Sequence, residues 1–193
     1  GCDMLIIDMG VKLPISDELY TDTFDFIPSG FDHTGEFRGK IVGRKLGKGT
    51  RDLSKEPAMD RETALKAIMT GFDAAKAVKD NGYQVFGIGE MGIGNTTTSS
   101  CMLSYITGAD PETFIGRGGG LNDEGLKKKI DVVKNAVNGF SGDIIDAMAA
   151  FSGFDINAMV GAYLGAAYYR IPVVIDGFIS AVAALIAFTI APN

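Results

Sequence analysis

The sequence predicts an α/β fold in which a mostly parallel sheet is covered by helices on both faces. Short apolar runs that end in polar residues or glycine alternate along the chain with longer segments of helical period. This alternation is typical of parallel strands joined by helical crossovers. A glycine-rich turn follows the apolar run at residues 85–88, which is where open α/β sheets bind ligands. With 193 residues, the chain is long enough for one domain with a sizeable core.

The first predicted strand covers residues 3–10 and contains Asp8 near its end. An apolar run closed by polar residues is typical of a buried parallel strand. Asp8 has two interpretations at this point. It is either a solvated strand end or a ligand contact at the carboxyl edge of the sheet.

Residues 12–57 are rich in turn formers and show little hydrophobic period. A long segment without predicted elements is typically a functional or mobile surface loop. The only histidine, His33, lies here, and we interpret it as a loop residue because no second histidine or suitable acidic spacing accompanies it. Arg51 could contact a ligand from this segment, although an exposed loop arginine is the commoner case.

A helix is predicted to begin after Asp60 as its cap and to stop at Asn81-Gly82. Four of its apolar residues recur at helical spacing and are predicted to face the core. They are Leu65, Ile68, Met69 and Phe72. The next strand is predicted at residues 83–88.

The stretch at residues 85–100 combines an apolar strand, a turn with several glycines and a run of hydroxyl residues. The glycines let the backbone adopt positive φ and let a ligand approach closely. Asn95 and Thr96 are predicted caps of the following helix, whose first N–H groups favour an anion. Glu90 places a carboxylate inside this anion-binding turn.

Comparison with known phosphate-binding patterns limits the classes of ligand that this turn could bind. Residues 87–92 match G-x-G-x-x-G, but no acidic residue ends a second strand about 20 positions later to hold a ribose, so a dinucleotide is disfavoured. Residues 89–96 approximate a P-loop with Asn95 in place of the lysine, which disfavours a nucleoside triphosphate. A ligand with a single phosphate group remains compatible with this turn. Glu90 could then accept a hydrogen bond from a heterocycle N–H or a sugar hydroxyl.

A second glycine-rich turn, at residues 115–120, precedes a helix that Asn122 or Asp123 would cap. Three consecutive lysines, Lys127, Lys128 and Lys129, are typical of a solvated face. Cations near the start of a helix are repelled by the positive end of the helix dipole. At least one of these lysines could therefore pair with a nearby anion instead.

Two more helices are predicted at residues 142–151 and 154–169, followed by a strand at 171–177 and a final helix that reaches residue 191. Gly161 and Gly165 permit close packing, either inside the domain or against a partner. The final apolar stretch is short for a membrane span and contains Ser180 and Thr189, so we predict a buried helix and no membrane association.

Composition disfavours several kinds of partner and site. The formal net charge of −6 disfavours nucleic acid, whose backbone binds clustered Lys and Arg. The two cysteines are too few for a disulfide framework and lack metal-ligand spacing, so we predict no metal site and a cytoplasmic location. The start of the chain lacks the basic and apolar regions of a secretory signal.

Residues 89–98 read Gly-Glu-Met-Gly-Ile-Gly-Asn-Thr-Thr-Thr and closely resemble the signature of the nicotinate-nucleotide–dimethylbenzimidazole phosphoribosyltransferase family, which acts in cobalamin lower-ligand assembly. Other family-like segments follow in the family's order over most of the chain. They lie at residues 49–51, 56–59, 116–126, 129, 153–159 and 176–178. Several motifs in order are far more specific than one glycine turn.

This resemblance implies a Rossmann-like, three-layer αβα fold in which residues 1–193 are the large domain and a small helical domain lies outside the chain. It also implies a homodimer that needs no cofactor. The implied reaction moves the phosphoribosyl group of nicotinate mononucleotide to 5,6-dimethylbenzimidazole or a related base. Nicotinate leaves, and the configuration at the anomeric carbon inverts.

The resemblance also implies roles for individual residues. Glu90 would orient the base. The implied substrate-binding residues of the first glycine turn are Gly89, Met91, Gly92, Gly94, Asn95 and Thr96. Those implied on the phosphate side are Arg117, Gly118, Gly119 and Lys129. Asp176 and Gly177 would lie near the ribose.

The sequence departs from the family pattern in three places. Gly119 stands where threonine is common and removes one hydroxyl donor. The loop at residues 13–38 is longer than usual. The principal catalytic glutamate and the part that encloses the base are expected outside these 193 residues. A nucleotide-binding or partner subunit without catalysis is therefore the alternative hypothesis, and a generic NAD dehydrogenase is a more distant one.

Overall fold

A computed structural model describes residues 2–28 and 39–192 of the chain. The chain divides into two compact units, residues 1–49 and 50–193, and each is described by itself. The strand pairs of both units are parallel, which confirms the predicted α/β class with a mostly parallel sheet. That residues 1–193 form one domain stays a prediction. His33 lies outside the described residues.

The first unit is built on a three-stranded parallel sheet in the order β1-β3-β2. Its strands are β1 (Ile7–Asp8), β2 (Tyr20–Thr21) and β3 (Ile41–Gly43). Two of them lie in the segment that the sequence predicted to be a long loop, so that prediction was wrong. The reason is physical, since strands of two or three residues are too short to show an alternating pattern.

Asp8 is a structural carboxylate of this first unit. Only 3% of it is exposed, so the solvated strand end was the wrong interpretation. Its Oδ1 accepts hydrogen bonds from the backbone N–H groups of Gly10 at 2.9 Å and Val11 at 2.8 Å. Its Oδ2 accepts from the Tyr20 hydroxyl and lies 3.2 Å from Lys45 Nζ. Burial alone would raise the pKa of Asp8, but these donors outweigh it and lower the pKa.

In the described part of the second unit, the predicted helices are all present. They are α1 (Arg61–Asp80), α2 (Asn95–Thr107), α3 (Asp123–Val137), α4 (Ile144–Phe151), α5 (Phe154–Tyr169) and α6 (Gly177–Ile190). The two strands β4 (Phe86–Gly87) and β5 (Val173–Val174) pair in parallel. The cap predictions for α1 and α3 are confirmed, since Asp60 accepts from Thr63 N at 2.7 Å and Asn122 from Gly125 N at 2.8 Å.

Helices α1 and α5 approach so closely that glycine is required where they cross. A Cβ added to Gly71 would lie 1.7 Å from the carbonyl oxygen of Ala158. One added to Gly161 would lie 1.8 Å from the carbonyl oxygen of Ile68. The small residues of α5 therefore serve packing within the chain, which was one of the two uses that the sequence left open.

This close approach also explains a wrong prediction about α1. Leu65 is 43% exposed and Met69 is 53% exposed, so neither belongs to the core. The buried face of α1 consists mainly of small residues, because larger side chains would hold α5 away. Its buried residues are Ala64, Ala67, Ile68, Thr70, Gly71, Ala74, Ala75 and Val78.

Helix α6 is a core helix, as predicted, and it buries Val182, Ala183, Ile186 and Ala187. These side chains pack in one cluster with others from the same unit, including Met102, Met148 and Phe151. Across the parts of the chain that are described, no helix has both the length and the apolar character that a membrane crossing demands.

Candidate functional site

The site lies at the carboxyl edge of the β4–β5 pair. Phe86 pairs with Val173 and Gly87 with Val174 in parallel, so the turns that follow both strands leave the same edge. The first turn leads into α2 and the second into α6. Two helix N-termini therefore begin just beyond this edge, where their unpaired N–H groups favour anions.

Helix α2 begins without a side-chain cap, so the prediction that Asn95 or Thr96 caps it was wrong. The cap position is Gly94, whose φ of +84° is in the left-handed region that favours glycine. Asn95 is the first residue of the helix and is buried. Because Gly94 makes the turn, the Asn95 and Thr96 side chains are left to bond other groups.

Glu90, Asn95 and Asp155 form a hydrogen-bonded cluster at this edge. Glu90 is exposed, and its Oε2 accepts from Gly92 N at 3.0 Å and from Asn95 Nδ2. The same Asn95 nitrogen donates to Asp155 Oδ2 at 2.9 Å. One amide group therefore bridges two carboxylates.

Asp155 is the member of this cluster that the sequence analysis did not identify. It lies in the first turn of α5, 60 residues from Asn95 along the chain. An acidic residue in a first helical turn is ordinary, so its position carried no distinguishing signal. Only the folded chain brings it next to the glycine turn.

Lys129 forms the second part of the site. It is only 7% exposed, and its Nζ donates to Thr96 Oγ1 at 2.9 Å and to the Gly116 carbonyl oxygen at 3.0 Å. Within residues 2–28 and 39–192, no carboxylate pairs with it. Loss of hydration on burial lowers the pKa of Lys129. Lys127 and Lys128 are exposed, as a solvated face requires.

The second glycine turn folds over Lys129. Gly118 and Gly120 have φ values of +58° and +97°. A Cβ added to Gly118 would lie 2.9 Å from Thr96 Oγ1 and 3.6 Å from Lys129 Nζ. At Gly119, by contrast, an added Cβ would meet nothing within 4 Å, so the space beside this turn is open.

The two arginines considered from the sequence make contacts close to their own positions. Arg117 donates from Nη1 to the Leu121 carbonyl oxygen at 2.8 Å, and its Nη2 binds the Asp123 carboxylate. Arg51 donates from Nε to the Pro57 carbonyl oxygen at 2.8 Å. Both side chains remain partly exposed.

Asp176 and Gly177 lie in the turn after β5. Asp176 is exposed and occupies the cap position of α6, but its side chain makes no capping hydrogen bond. Its backbone N–H donates to Ser180 Oγ at 3.1 Å, and Ser180 is also bonded to Tyr163 at 3.0 Å. The Asp176 carboxylate therefore remains available to a ligand at this edge.

Two apolar side chains project from the first glycine turn. Met91 is 96% exposed, and Ile93 is fully exposed. Met91 was one of the expected ligand contacts, and Ile93 was not considered. Large apolar side chains at such exposure beside a carboxylate suit a flat, partly apolar ligand.

The structure thus joins two clusters through the start of α2. Asn95 connects to Glu90 and Asp155, and the neighbouring Thr96 connects to Lys129. One cluster offers carboxylates, and the other offers an ammonium group that pairs with no carboxylate among the described residues. The arrangement can hold an anion at Lys129 and a hydrogen-bond donor at Glu90.

Comparison with known proteins shows consistent matches. A family model described as phosphoribosyltransferase (DBI_PRT) matches residues 1–193. Nicotinate-nucleotide–dimethylbenzimidazole phosphoribosyltransferase of Clostridium perfringens is 41% identical over 195 residues, which cover 100% of this chain and 48% of that protein. The protein of the same name from Acetivibrio thermocellus is 46% identical over 196 residues, covering 100% of this chain and 50% of that protein.

A solved structure agrees with these sequence matches. The crystal structure of CobT from Thermus thermophilus matches with a TM-score of 0.82 and 30% sequence identity, over 98% of this chain and 51% of that chain. The chain therefore spans about half the length of the curated relatives and the solved structure that it matches.

Proposed function

Since the chain belongs to the phosphoribosyltransferase family that matches its full length, we propose that it carries the donor site of a nicotinate mononucleotide-dependent enzyme. The proposed reaction transfers the phosphoribosyl group to 5,6-dimethylbenzimidazole or a related base. The products are alpha-ribazole 5'-phosphate and nicotinate, as assembly of the cobalamin nucleotide loop requires. The names of the Clostridium perfringens and Acetivibrio thermocellus relatives support this choice of substrates.

The observation that carries the proposal is the buried Lys129, whose hydrogen-bond acceptors are the neutral oxygens of Thr96 and Gly116. A buried cation without a carboxylate is costly in the free protein, and an anionic ligand would offset that cost on binding. Two of its three N–H donors are used by Thr96 and Gly116, which leaves one for a phosphate oxygen. The start of α2 adds N–H groups beside it.

On the other side of Asn95, Glu90 would receive the incoming base. Its exposed carboxylate can accept a hydrogen bond from the benzimidazole N–H and orient the other ring nitrogen toward the anomeric carbon. That nitrogen forms the new bond to the anomeric carbon, and the bond to nicotinate nitrogen breaks with its electron pair. The base N–H proton passes to a carboxylate. Glu90 holds this proton in its hydrogen bond, and we assign the final removal of the proton to the principal base, a glutamate expected outside these 193 residues.

Carboxylates at this edge would also stabilise the charge that develops during transfer. The transition state should resemble an oxocarbenium ion, which fixed negative groups favour electrostatically. Asp176 is exposed at the end of β5 and could bind a ribose hydroxyl as an acceptor. Gly177 has a φ of +79°, so the backbone turns there without a side chain in the way.

Nicotinate release tests this function. The 193-residue chain and the full-length protein that carries it would each be incubated with nicotinate mononucleotide, with and without 5,6-dimethylbenzimidazole. We expect the full-length protein to release nicotinate only when a base is present. Binding of nicotinate mononucleotide without release would favour the non-catalytic subunit. Tight binding of NAD instead would indicate a dehydrogenase.

For Glu90→Gln we expect weaker base binding with phosphate affinity largely kept. Loss of a charged hydrogen-bond acceptor costs about 1.5–3 kcal/mol. Titration calorimetry with 5,6-dimethylbenzimidazole and with nicotinate mononucleotide measures the two effects separately. Glu62→Gln, an exposed glutamate on α1, is the matched control. Unchanged base affinity in Glu90→Gln would remove Glu90 from the site.

Two further points belong to the proposal. The first is a homodimer, supported by an apolar surface on α1 and α5. There Leu65, Met69 and Tyr168 are exposed, and the ring centroids of Phe72 and Tyr168 lie 5.4 Å apart. Sedimentation should show a dimer, and a monomer at micromolar concentration would contradict it.

The second point is a cytoplasmic location, supported by cysteines that are free in the described chain.

A further inference from the structure

The Asp155 carboxylate is held tightly between two glycines. It lies in the first turn of α5, and a Cβ added to Gly92 would fall 2.1 Å from its Oδ2. A Cβ added to Gly153 would fall 2.3 Å from its Oδ1. Both oxygens therefore occupy space that any side chain at these two positions would need. One of the two glycines belongs to the turn that carries Glu90.

The same carboxylate determines how the Asn95 amide is oriented. Asn95 Nδ2 donates one hydrogen to Glu90 Oε2 and the other to Asp155 Oδ2. An ionised carboxylate only accepts hydrogen bonds, so the nitrogen of the amide has to face both acids. Two acceptors on one NH₂ group leave the amide a single orientation, and rotation by 180° would turn its oxygen toward two anions.

From this arrangement we infer that Asp155 is a positioning residue, which holds the Asn95 amide and through it the Glu90 carboxylate in the orientation that receives the base. The inference rests on the proposed function. No substrate contact is assigned to Asp155 itself. Asp155 affects the reaction through Asn95. The buried Asn95 amide joins Asp155 on α5 to Glu90 on the exposed glycine turn.

Such positioning matters because Glu90 lies on a glycine turn. An exposed glutamate samples many rotamers, and fixing it during binding would cost conformational entropy. Bonds from Gly92 N and Asn95 Nδ2 fix Glu90 before the base arrives. Asp155 in turn benefits from the N-terminus of α5, where the helix dipole favours a negative charge. This location offsets part of the repulsion between the two acids.

Three variants of the full-length protein test the inference. Asp155→Ala removes the acceptor, and Asp155→Asn keeps a neutral acceptor oxygen at nearly the same volume. Glu62→Ala removes an exposed acid from the first turn of α1 and controls for the general effect on helix stability. Thermal melting of each variant shows whether it folds. If Asp155→Ala does not fold, the asparagine variant is compared with the wild type.

For Asp155→Ala we expect kcat/KM for 5,6-dimethylbenzimidazole to fall about 10-fold or more, as for loss of a charged hydrogen bond. The KM for nicotinate mononucleotide should change by less than about threefold, because Lys129 and Thr96 are untouched. Asp155→Asn should recover several-fold of the loss. An unchanged kcat/KM in Asp155→Ala, or an asparagine variant no better than alanine, would overturn the inference.

A readout without catalysis separates this inference from the proposed function. The side-chain NH₂ resonances of Asn95 should shift in Asp155→Ala and in Glu90→Gln, but not in Glu62→Ala. If Asn95 does not respond to Asp155→Ala, the positioning role is refuted even when transfer is observed. If the wild type transfers nothing with any base, the proposed function fails, while the Asn95 resonances still decide whether Asp155 orients the amide.

Discussion

Replacement of Lys129 by methionine should weaken nicotinate mononucleotide binding about 10- to 100-fold without lowering the stability of the ligand-free protein. The loss of affinity follows from removal of the only buried ammonium group described at the site, which is 7% exposed. Stability should not fall, because the charge has no carboxylate partner in the described chain and its burial is unfavourable. Titration calorimetry and thermal melting measure the two effects.

The pH dependence of stability provides a second readout for this variant. Loss of hydration lowers the folded-state pKa of Lys129 below its ordinary value of 10.5. Between these two values the unfolded state binds more protons, so this group makes stability rise as pH increases toward 10.5. Lys129→Met should lack that rise. Its stability advantage over the wild type should therefore shrink as the pH approaches 10.5.

Lys128→Met is the matched control, since Lys128 is the preceding residue of the same helix and is exposed. It should leave both the affinity and the melting temperature nearly unchanged. A Lys129→Met protein that melts several degrees lower and still binds the nucleotide normally would show that Lys129 is structural.

The largest effect on stability is expected for Gly161→Ala. The added Cβ would lie 1.8 Å from the carbonyl oxygen of Ile68, which is part of the α1 backbone and cannot rotate away. Relief therefore requires that α1 and α5 separate. Overpacking typically costs about 1–3 kcal/mol, and a backbone clash should reach the upper end even after the helix propensity gained by alanine.

For a chain of this size the loss should lower the melting temperature by roughly 4–10 °C. Ala167→Leu adds more volume on the exposed side of the same helix and should change the melting temperature little. If Gly161→Ala melted at or above the wild-type temperature, the close packing of α1 on α5 would be contradicted. Affinity for nicotinate mononucleotide in any folded fraction should stay near wild type, because Gly161 contacts α1 and not the glycine turns.

The helices could be predicted because their signals are local. Asp60 and Asn122 cap α1 and α3 as expected, and Gly108 ends α2 with a left-handed φ of +68°. The strands could not be bounded in the same way, since β1, β4 and β5 have two residues each. Leu65 is exposed because the face of α1 that carries Gly71 packs against α5. No local sequence pattern reveals this contact between the two helices.

The two glycine-rich turns of the site could be predicted from the sequence. The side-chain contacts between them were harder to predict. The burial of Lys129 did have a signal, because it follows Leu126 by three residues and precedes Val133 by four, on the apolar face of α3. Asn95 was assigned as a cap because its residue type favours that role, whereas Gly94 makes the turn. Asp155 depends on a contact across 60 residues of chain.

A crystal structure of the protein with bound nicotinate mononucleotide tests the central claim most directly. We expect a phosphate oxygen about 2.7–2.9 Å from Lys129 Nζ. The face of the ribose opposite the pyridine ring should point toward Glu90, because an inverting transfer brings the base in from that face. The Asn95 amide should still bridge Glu90 and Asp155. Nucleotide bound elsewhere, with Lys129 contacting only Thr96 and Gly116, would contradict the assignment of this edge as the donor site.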